Sequence, residues 1–182
     1  MENIENVIRT ACRLVEKYGT RDPFELCRAR DITVMELPFR RQKGAYKIIQ
    51  RNPFIYLKED LPEGEKRLVL AHELGHDLNH RSIAAARGGF QEFELFNMRE
   101  GRMEYEANVS CAEILLPDDE VVEYIQMGYD LHQIARAMRS DINLLAVKVD
   151  NLICKGYPFH MQEHRNDFLR YDRPNDFDGQ EM

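Results

Sequence analysis

The sequence predicts an α+β fold with a small antiparallel sheet and several packed helices, and two patterns support this prediction. Apolar residues recur at helical spacing over residues 3–18 and through most of the chain after residue 60. Between residues 31 and 58 the pattern changes to short β-rich runs separated by turn residues. With 182 residues, of which 43% are hydrophobic, the chain can bury such a core without disulfides as its main support.

The first predicted helix covers residues 3–18, and Gly19 follows where glycine commonly ends a helix. Three predicted strands come next, with the sequences ITVMEL, AYKIIQ and PFIYLK. They are separated by breakers at Pro38, Gly44 and the pair Asn52-Pro53. Because each run is short and bounded by turn residues, we expect one small antiparallel sheet.

The best-marked helix begins near residue 60. Asp60 offers an N-cap, Pro62 stands just inside it, and Glu63 occupies the capping-box position. We expect this helix to reach about residue 80 and to pack a leucine stripe against the core. The stripe consists of Leu70, Leu74 and Leu78.

The rest of the chain is predicted to be mainly helical. Residues 84–99 contain a Gly-Gly break and no sustained period, which predicts a loop or a mobile connection. A helix over about 100–116 is expected to end at Pro117, and Asp118 is expected to cap the next helix. Two further helices are predicted at 130–138 and 141–154.

A single domain is expected over residues 1–160. Residues 161–182 are charged and poor in aliphatic side chains, so we expect a flexible C-terminal tail there. No internal repeat is present in the sequence, which argues against a repeat architecture.

Composition limits the partners and the compartment. The net charge of −7 provides no overall positive field, so direct binding of nucleic acid is not expected. The four cysteines form no C-x-x-C pair, which favours reduced thiols over a disulfide framework. Neither a signal-peptide pattern nor an apolar run of membrane-spanning length is present, so no membrane contact is expected. We therefore expect a cytoplasmic protein.

Residues 72–76 read His-Glu-Leu-Gly-His and satisfy the pattern H-E-x-x-H. On a helix, the four-residue step places His72 and His76 one turn apart on one face, where both imidazoles can bind one metal ion. Glu73 lies beside the first histidine, where its carboxylate can take a proton from metal-bound water. This combination is typical of a metal-assisted hydrolase, and it makes this helix the candidate active-site helix.

A catalytic zinc ion usually has three protein ligands and one position for water. The metzincin pattern would require glycine at position 79 and histidine at position 82, but Asn79 and Ser82 stand there. His80 lies about 80° around the helix from His72, so we expect it at the surface. The third ligand is therefore expected from another helix.

The predicted helix over 100–116 supplies the candidates for the third ligand, Glu104, Glu106 and Glu113. Its expected buried stripe consists of Met103, Ala107 and Ile114. Glu104 lies on the adjoining face and is the preferred ligand. Glu106 lies about 200° around the helix from Glu104 and is expected to face solvent, so it is kept as the alternative.

Asn108 and Cys111 share the predicted face of Glu104. The amide oxygen of Asn108 can accept the ring N–H of a metal-bound histidine and so fix the tautomer of that histidine. Cys111 could be a redox-active or inhibitory thiolate near the metal, but free cysteines are commonly buried, and a packing role is favoured.

The runs RLVLAHELGHDLNH and EYEANVSCAEILLP resemble the ImmA/IrrE metallopeptidases. The pattern of that family joins H-E-x-x-H to E-x-x-x-N and to a leucine-rich helix end that closes in proline. These elements are residues 72–76, Glu104 to Asn108, and 114–117, and the resemblance covers about residues 30–155. Ser110 is a departure, because the family commonly has an aromatic residue there, so packing behind the metal is expected to differ.

The resemblance implies a compact zincin-like core, similar to thermolysin and of the gluzincin class, with a zinc ion as cofactor. It also implies a cytoplasmic, site-specific endopeptidase of bacterial or phage origin. Its protein substrate would be a helix-turn-helix transcriptional repressor, and cleavage would relieve repression. The rival hypothesis is a metal-binding regulator that captures a repressor without cutting it.

Residues 130–153 also have the layout of a helix-turn-helix DNA-reading unit. Its second helix offers Lys148 and asparagines as contacts beside Asp150, so packing helices are favoured over DNA binding. No spacing rule selects the group that would stabilise an oxyanion. The candidates are Tyr56, His132, His160 and His164.

Overall fold

The computed structural model describes residues 2–87, 89–92, 101–161 and 169–171. The chain divides into two compact units, Met1–Leu115 and Leu116–Met182. Helices and a small sheet occur together in the first unit, which confirms the predicted α+β class. The single domain expected over residues 1–160 stays a prediction.

The described part of the first unit contains four helices and four strands. The elements are α1 (Glu2–Tyr18), α2 (Pro23–Ala29), β1 (Thr33–Leu37), β2 (Gly44–Ile49), β3 (Asn52–Lys58), α3 (Glu63–Arg87), β4 (Phe90–Glu92) and α4 (Arg102–Leu115). Helix α1 ends as predicted, with Gly19 at a φ of 65° and its N–H donating to the C=O of Val15. Helix α2 was not predicted, although Asp22 caps it and Pro23 begins it.

The four strands form one sheet in the order β1-β3-β2-β4. Strands β2 and β3 are antiparallel as predicted, but β1 runs parallel to β3, so a purely antiparallel sheet is wrong. The reason is that the chain reverses between β1 and β2 and again between β2 and β3. Two reversals give β1 the direction of β3, and β1 pairs on the side of β3 that β2 leaves open.

The predicted loop at 84–99 is wrong for its described part. Helix α3 continues to Arg87, and strand β4 then pairs antiparallel with β2, with Gly44 opposite Glu92. Residues 93–100 of that prediction lie outside the described residues.

Helix α3 begins slightly later and ends later than predicted. The N–H of Lys66 donates to the C=O of Pro62. The residue just before the first turn is therefore Pro62, and not Asp60 as predicted. The backbone leaves helical geometry at His80, at φ −128° and ψ 15°, and the helix continues beyond this kink. The expected end near residue 80 therefore marks the kink.

Helix α4 is buried on several faces, because it packs against both α1 and α3. Its buried residues run without interruption from Glu106 to Ile114. At Gly75 the backbones of α3 and α4 almost touch, since a Cβ there would lie 2.8 Å from the carbonyl oxygen of Ala107. Glycine in the H-E-x-x-H motif thus brings the two ligand-bearing helices together.

A buried carboxylate anchors α3 to the elements around it. Asp77, whose side chain is fully buried, accepts hydrogen bonds from Nη2 of Arg30 at 2.6 Å and from the hydroxyl of Tyr46 at 2.6 Å. Arg30 follows α2 and Tyr46 lies in β2, so one side chain connects three elements. Asp77 directly follows His76, and this anchor therefore helps to fix the candidate active-site helix.

The second unit contains, in its described part, three helices and a strand pair. They are α5 (Asp118–Gln126), α6 (Leu131–Ala137), α7 (Ile142–Cys154), β5 (Phe159–Met161) and β6 (Leu169–Tyr171). Helices α6 and α7 confirm the predictions at 130–138 and 141–154, and the side chains of Asp130 and Asp141 cap them. Asp118 is not the cap of α5, because Pro117 holds that position.

Strands β5 and β6 pair antiparallel. Strand β6 falls within the segment expected to be a flexible tail, and the other residues of that segment after Met161 lie outside the described residues. None of the described helices is both long and apolar enough to cross a membrane.

Candidate metal centre

The imidazoles of His72 and His76 and the carboxylate of Glu104 converge in the first unit. The two Nε2 atoms lie 3.2 Å apart, and Oε2 of Glu104 lies 3.2 Å from the first and 3.3 Å from the second. Tetrahedral zinc with metal–ligand bonds near 2.0–2.1 Å would place neighbouring ligand atoms about 3.3 Å apart. The three atoms therefore fit three corners of a tetrahedron around one small metal ion.

The two helices supply these side chains from different depths. His72 and His76 lie on α3 before its kink and are buried, whereas the Glu104 side chain is 20% exposed in the first turn of α4. A carboxylate in a first turn is favoured by the positive end of the helix dipole. Glu104 therefore marks the side on which the centre is nearest to solvent.

The second ring nitrogen of His72 contacts Asn108. Nδ1 of His72 lies 2.8 Å from Oδ1 of Asn108 in the buried interface between α3 and α4. An amide oxygen only accepts, so Nδ1 carries the hydrogen and Nε2 of a neutral His72 presents its lone pair. This is the contact that the sequence predicts for Asn108.

The second ring nitrogen of His76 contacts another histidine. Nδ1 of His76 lies 3.2 Å from Nδ1 of His80, and Nε2 of His80 lies 2.9 Å from Oε2 of Glu106. The other carboxylate oxygen of Glu106 accepts from Nε of Arg102 at 2.8 Å. A chain of polar contacts thus leads from the candidate ligand His76 to α4.

Two sequence expectations are therefore wrong. His80 is buried and not at the surface, and Glu106 is buried and does not face solvent. The helical angle for His80 assumed a regular helix, but the kink lies at His80 itself. The angle for Glu106 assumed one buried stripe, whereas α4 is buried on several faces.

The surroundings hold the site in the protonation states that metal binding requires. Burial lowers the pKa of His76 to about 4, against the opposing effect of the nearby Glu104 carboxylate. Burial alone would raise the pKa of Glu104, but its contacts with the imidazoles of His72 and His76 outweigh burial and hold that pKa well below its usual range. Near neutral pH, the centre therefore offers a neutral His76 imidazole and an ionised Glu104 carboxylate.

Glu73 is fully buried between α3 and the sheet. A Cβ on Gly44, the first residue of β2, would lie 2.7 Å from Oε1 of Glu73 and would overlap Val69. Gly44, which the sequence predicts as a turn residue, is thus required here for close approach of β2 to α3. The Glu73 carboxylate therefore lies against the start of β2, which is also the strand that pairs with β4.

Comparison with known proteins identifies the family. The peptidase family model described as the IrrE N-terminal-like domain matches residues 27–149. This chain belongs to the ImmA/IrrE family. It is 35% identical over 124 residues to the "uncharacterized immunity region protein 2" of Bacillus phage phi105. The matched region covers 68% of this chain and 76% of that relative. It is 24% identical over 127 residues to the metallopeptidase ImmA of Bacillus subtilis strain 168, and this match covers 67% of this chain and 71% of that relative.

Membership in a metallopeptidase family implies a metal ion. Among the described residues, His72, His76 and Glu104 form the group of histidine, cysteine and acidic side chains that could hold one. The remaining candidate on α4, Glu113, instead accepts a hydrogen bond from Sγ of Cys12 at 3.2 Å.

Strand β4, which was not predicted, contributes an aromatic wall to this ImmA/IrrE centre. The ring of Phe90 stacks on His76, with ring centres 4.4 Å apart and planes inclined by 14°. The same ring meets His80 edge-on at 6.0 Å. The ring of Phe90 thus lies against both His76 and His80.

Ser110, at the position where the sequence led us to expect different packing, lies in the interface between α3 and α4. Its Oγ accepts a hydrogen bond from Nδ2 of Asn79 at 2.8 Å, and the same amide group donates to the C=O of Gly75. A small polar residue at position 110 therefore connects α3 and α4 through a hydrogen bond.

Cys111 supports the packing interpretation, since it is fully buried and its Sγ contacts the C=O of Leu68. The oxyanion candidates stay predictions. Tyr56 lies in β3 and stacks on Phe54, and His132 is exposed in the second unit. The His160 side chain and His164 lie outside the described part of the chain.

Proposed function

We propose that this ImmA/IrrE protein is a zinc-dependent, site-specific endopeptidase in which His72, His76 and Glu104 bind the metal. The observation that carries the proposal is the triangle of two imidazole nitrogens and one carboxylate oxygen, with sides of 3.2 to 3.3 Å. Two histidines and one glutamate form a ligand set of catalytic zinc in peptidases. Zinc accordingly fits both the donor types and the spacing.

Glu73 is the proposed general base and acid. A zinc ion at this site would supply an acidic bound water and polarise the carbonyl group of a substrate. The carboxylate of Glu73, next to His72 on the same helix, takes a proton from the attacking water and returns it to the leaving amine. The contact of Asn108 with His72 keeps the imidazole in the tautomer that binds metal.

The proposed substrate is a helix-turn-helix transcriptional repressor in the cytoplasm. Support comes from membership in a peptidase family and from the names of two relatives, a phage immunity region protein and the metallopeptidase ImmA. A role in DNA binding has less support, because Lys148, the cation of the second predicted DNA-reading helix, is fully buried and bonded to Asp118. We therefore place the function in proteolysis and not in DNA recognition.

The metal content of purified protein tests the ligand assignment. We expect about one zinc per chain in the wild type by elemental mass spectrometry, and loss of this zinc in Glu104→Ala. Glu106→Ala should still load with zinc at saturating concentration. Zinc lost with Glu106→Ala and retained with Glu104→Ala would move the third ligand. No zinc in the wild type after reconstitution would refute the metal site.

Proteolysis is tested by comparing the wild type with Glu73→Gln, an isosteric change that removes the carboxylate. Each protein is produced in cells that contain a candidate repressor, and new N-termini are labelled and identified by mass spectrometry. We expect two repressor fragments with the wild type and an intact repressor with Glu73→Gln, although both proteins contain zinc. A repressor that co-purifies intact with the wild type would instead support capture without cutting.

A further inference from the structure

We propose that Glu106 and His80 form a hydrogen-bond relay that holds His76 in the tautomer with hydrogen on Nδ1 and thereby aims its Nε2 lone pair at the metal. His80 and Glu106 are positioning residues in this proposal, since they act through His76. The proposal rests on the proposed metal site, but its central prediction concerns hydrogen positions that exist without metal.

The relay has three members in contact. Oε2 of Glu106 lies 2.9 Å from Nε2 of His80, and Nδ1 of His80 lies 3.2 Å from Nδ1 of His76. All three side chains are buried, so exchange of these partners for bulk water is restricted. Glu106 is in addition held by Arg102, which donates to its other oxygen.

The chemistry of the end member sets the direction of every bond. A carboxylate only accepts, so Nε2 of His80 must donate. A neutral imidazole carries one hydrogen, and Nδ1 of His80 is therefore an acceptor. Nδ1 of His76 then donates to it, which leaves the lone pair of His76 on Nε2. That is the atom 3.2 Å from Nε2 of His72 and 3.3 Å from Glu104.

The two candidate ligands reach the same tautomer by different routes. His72 donates directly to the amide oxygen of Asn108, whereas His76 donates through His80 to a carboxylate. Histidine ligands commonly donate their second N–H to such partners, and loss of these partners typically weakens metal binding about 10- to 100-fold. The kink of α3 lies at His80, the residue whose ring contacts both His76 and Glu106.

Two substitutions at residue 80 separate an acceptor role from simple packing. His80→Asn places an amide oxygen at the branch position of Nδ1, whereas His80→Leu has similar bulk and no acceptor. We expect His80→Leu to weaken zinc binding by about 10- to 100-fold and His80→Asn by less than about 10-fold, measured by chelator competition. Urea unfolding of both metal-free variants shows whether each is folded. Equal losses in the two variants, or no loss in either, would overturn the proposal.

Substitutions at the far end test the direction of the relay. In Glu106→Gln the side-chain oxygen can accept from Arg102, which turns the amide NH₂ towards His80 and reverses the hydrogen bonds. We expect weaker zinc binding in this variant. Arg102→Gln is the matched control, because its side chain is 71% exposed and it leaves the Glu106 carboxylate in place. Zinc affinity that falls with Arg102→Gln and not with Glu106→Gln would contradict the relay.

Nitrogen chemical shifts of the histidine rings in metal-free wild type give the direct measurement. The relay requires hydrogen on Nδ1 of His76 and on Nε2 of His80, and we expect Glu106→Gln to change both rings. Hydrogen on Nε2 of His76 in the wild type would overturn the relay even if zinc binds. If the wild type binds no zinc but shows the expected tautomers, the proposed function fails and the relay stands.

Discussion

Oδ1 of Asn108 lies 2.8 Å from Nδ1 of His72, and this contact joins the two helices that carry the candidate ligands. Asn108 is only 3% exposed, so water cannot readily take its place as the acceptor. The amide oxygen fixes which nitrogen of His72 holds the hydrogen. The orientation of a candidate ligand on α3 therefore depends on a residue of α4.

We expect Asn108→Ala to weaken zinc binding by about 10- to 100-fold, because the buried N–H of His72 loses its acceptor. Chelator competition with a fluorescent zinc indicator measures this loss. Asn79→Ala is the control, since Asn79 also connects α3 to α4 but bonds to Gly75 and Ser110 instead of a candidate ligand. Equal affinities of Asn108→Ala and Asn79→Ala would contradict the role of Asn108.

The sequence was sufficient to predict that four side chains lie close together, namely those of His72, His76, Glu104 and Asn108. These residues lie on regular helical stretches, where spacing of four residues reliably gives one face. The same reasoning failed for His80 and Glu106, because a kink and burial on several faces are consequences of tertiary packing. Neither the kink at His80 nor the packing of α4 against α1 and α3 can be read from local periodicity.

Gly75→Ala should destabilise the metal-free protein by about 1–3 kcal/mol. A Cβ there would meet the carbonyl oxygen and Cα of Ala107 at 2.8 and 3.0 Å, and backbone atoms cannot move aside as a side chain can. Gly64→Ala in the same helix is the matched control, because its Cβ would have no atom within 4 Å. We expect Gly64→Ala to stabilise by up to about 1 kcal/mol. Urea unfolding compares the two, and similar effects of both changes would contradict close helix packing at Gly75.

The sheet shows the same division between local and distant information. The pair β2 and β3 was predictable because a short turn joins the two strands. The parallel pairing of β1 and the addition of β4 depend on which edge of the growing sheet is open, and a run of residues carries no such information. Strand β4 is only three residues long, too short for an alternating pattern to reveal it.

Removal of Arg30 should destabilise the protein, because the buried Asp77 carboxylate then lacks its closest cation. We expect Arg30→Ala to lower the free energy of unfolding by about 3–5 kcal/mol, because it leaves a fully buried charge without its main cation. Arg81→Ala is the control, since Arg81 approaches the same carboxylate at 3.6 Å but is 45% exposed, and we expect less than about 1 kcal/mol. Denaturant unfolding at neutral pH measures both. Similar losses would show that burial does not distinguish the two arginines.

Tyr46→Phe removes the other hydrogen bond to Asp77. Burial, and then the hydrogen bond to Asp77, raise the pKa of Tyr46, so the hydroxyl keeps its proton and donates. We expect a loss of about 1–3 kcal/mol in the free energy of unfolding. This cluster could not be predicted from the sequence, because Tyr46 and Arg30 are 31 and 47 residues away from Asp77.

Asp118 provides a test by pH in the second unit. It bonds to the fully buried Lys148 and to Lys155. Burial alone would raise the pKa of Asp118, but the two lysines outweigh it and lower the pKa below its ordinary value of 3.8. The carboxylate therefore contributes stability above the unfolded-state pKa, and this contribution is lost as the pH falls through the lower folded-state pKa.

We expect Asp118→Asn to lower the free energy of unfolding at pH 7 by an amount near the lower end of about 3–5 kcal/mol, since Asp118 is 30% exposed while Lys148 is fully buried. The difference from the wild type should stay constant down to about pH 5 and shrink below about pH 4, where Asp118 becomes protonated. Asp119→Asn, at the exposed neighbouring position, should change stability by less than about 0.5 kcal/mol over the same range. Urea unfolding at several pH values measures each difference. A difference in the free energy of unfolding that widens towards low pH would have the wrong sign for a carboxylate with a lowered pKa. It would contradict a stabilising ion pair between Asp118 and the two lysines.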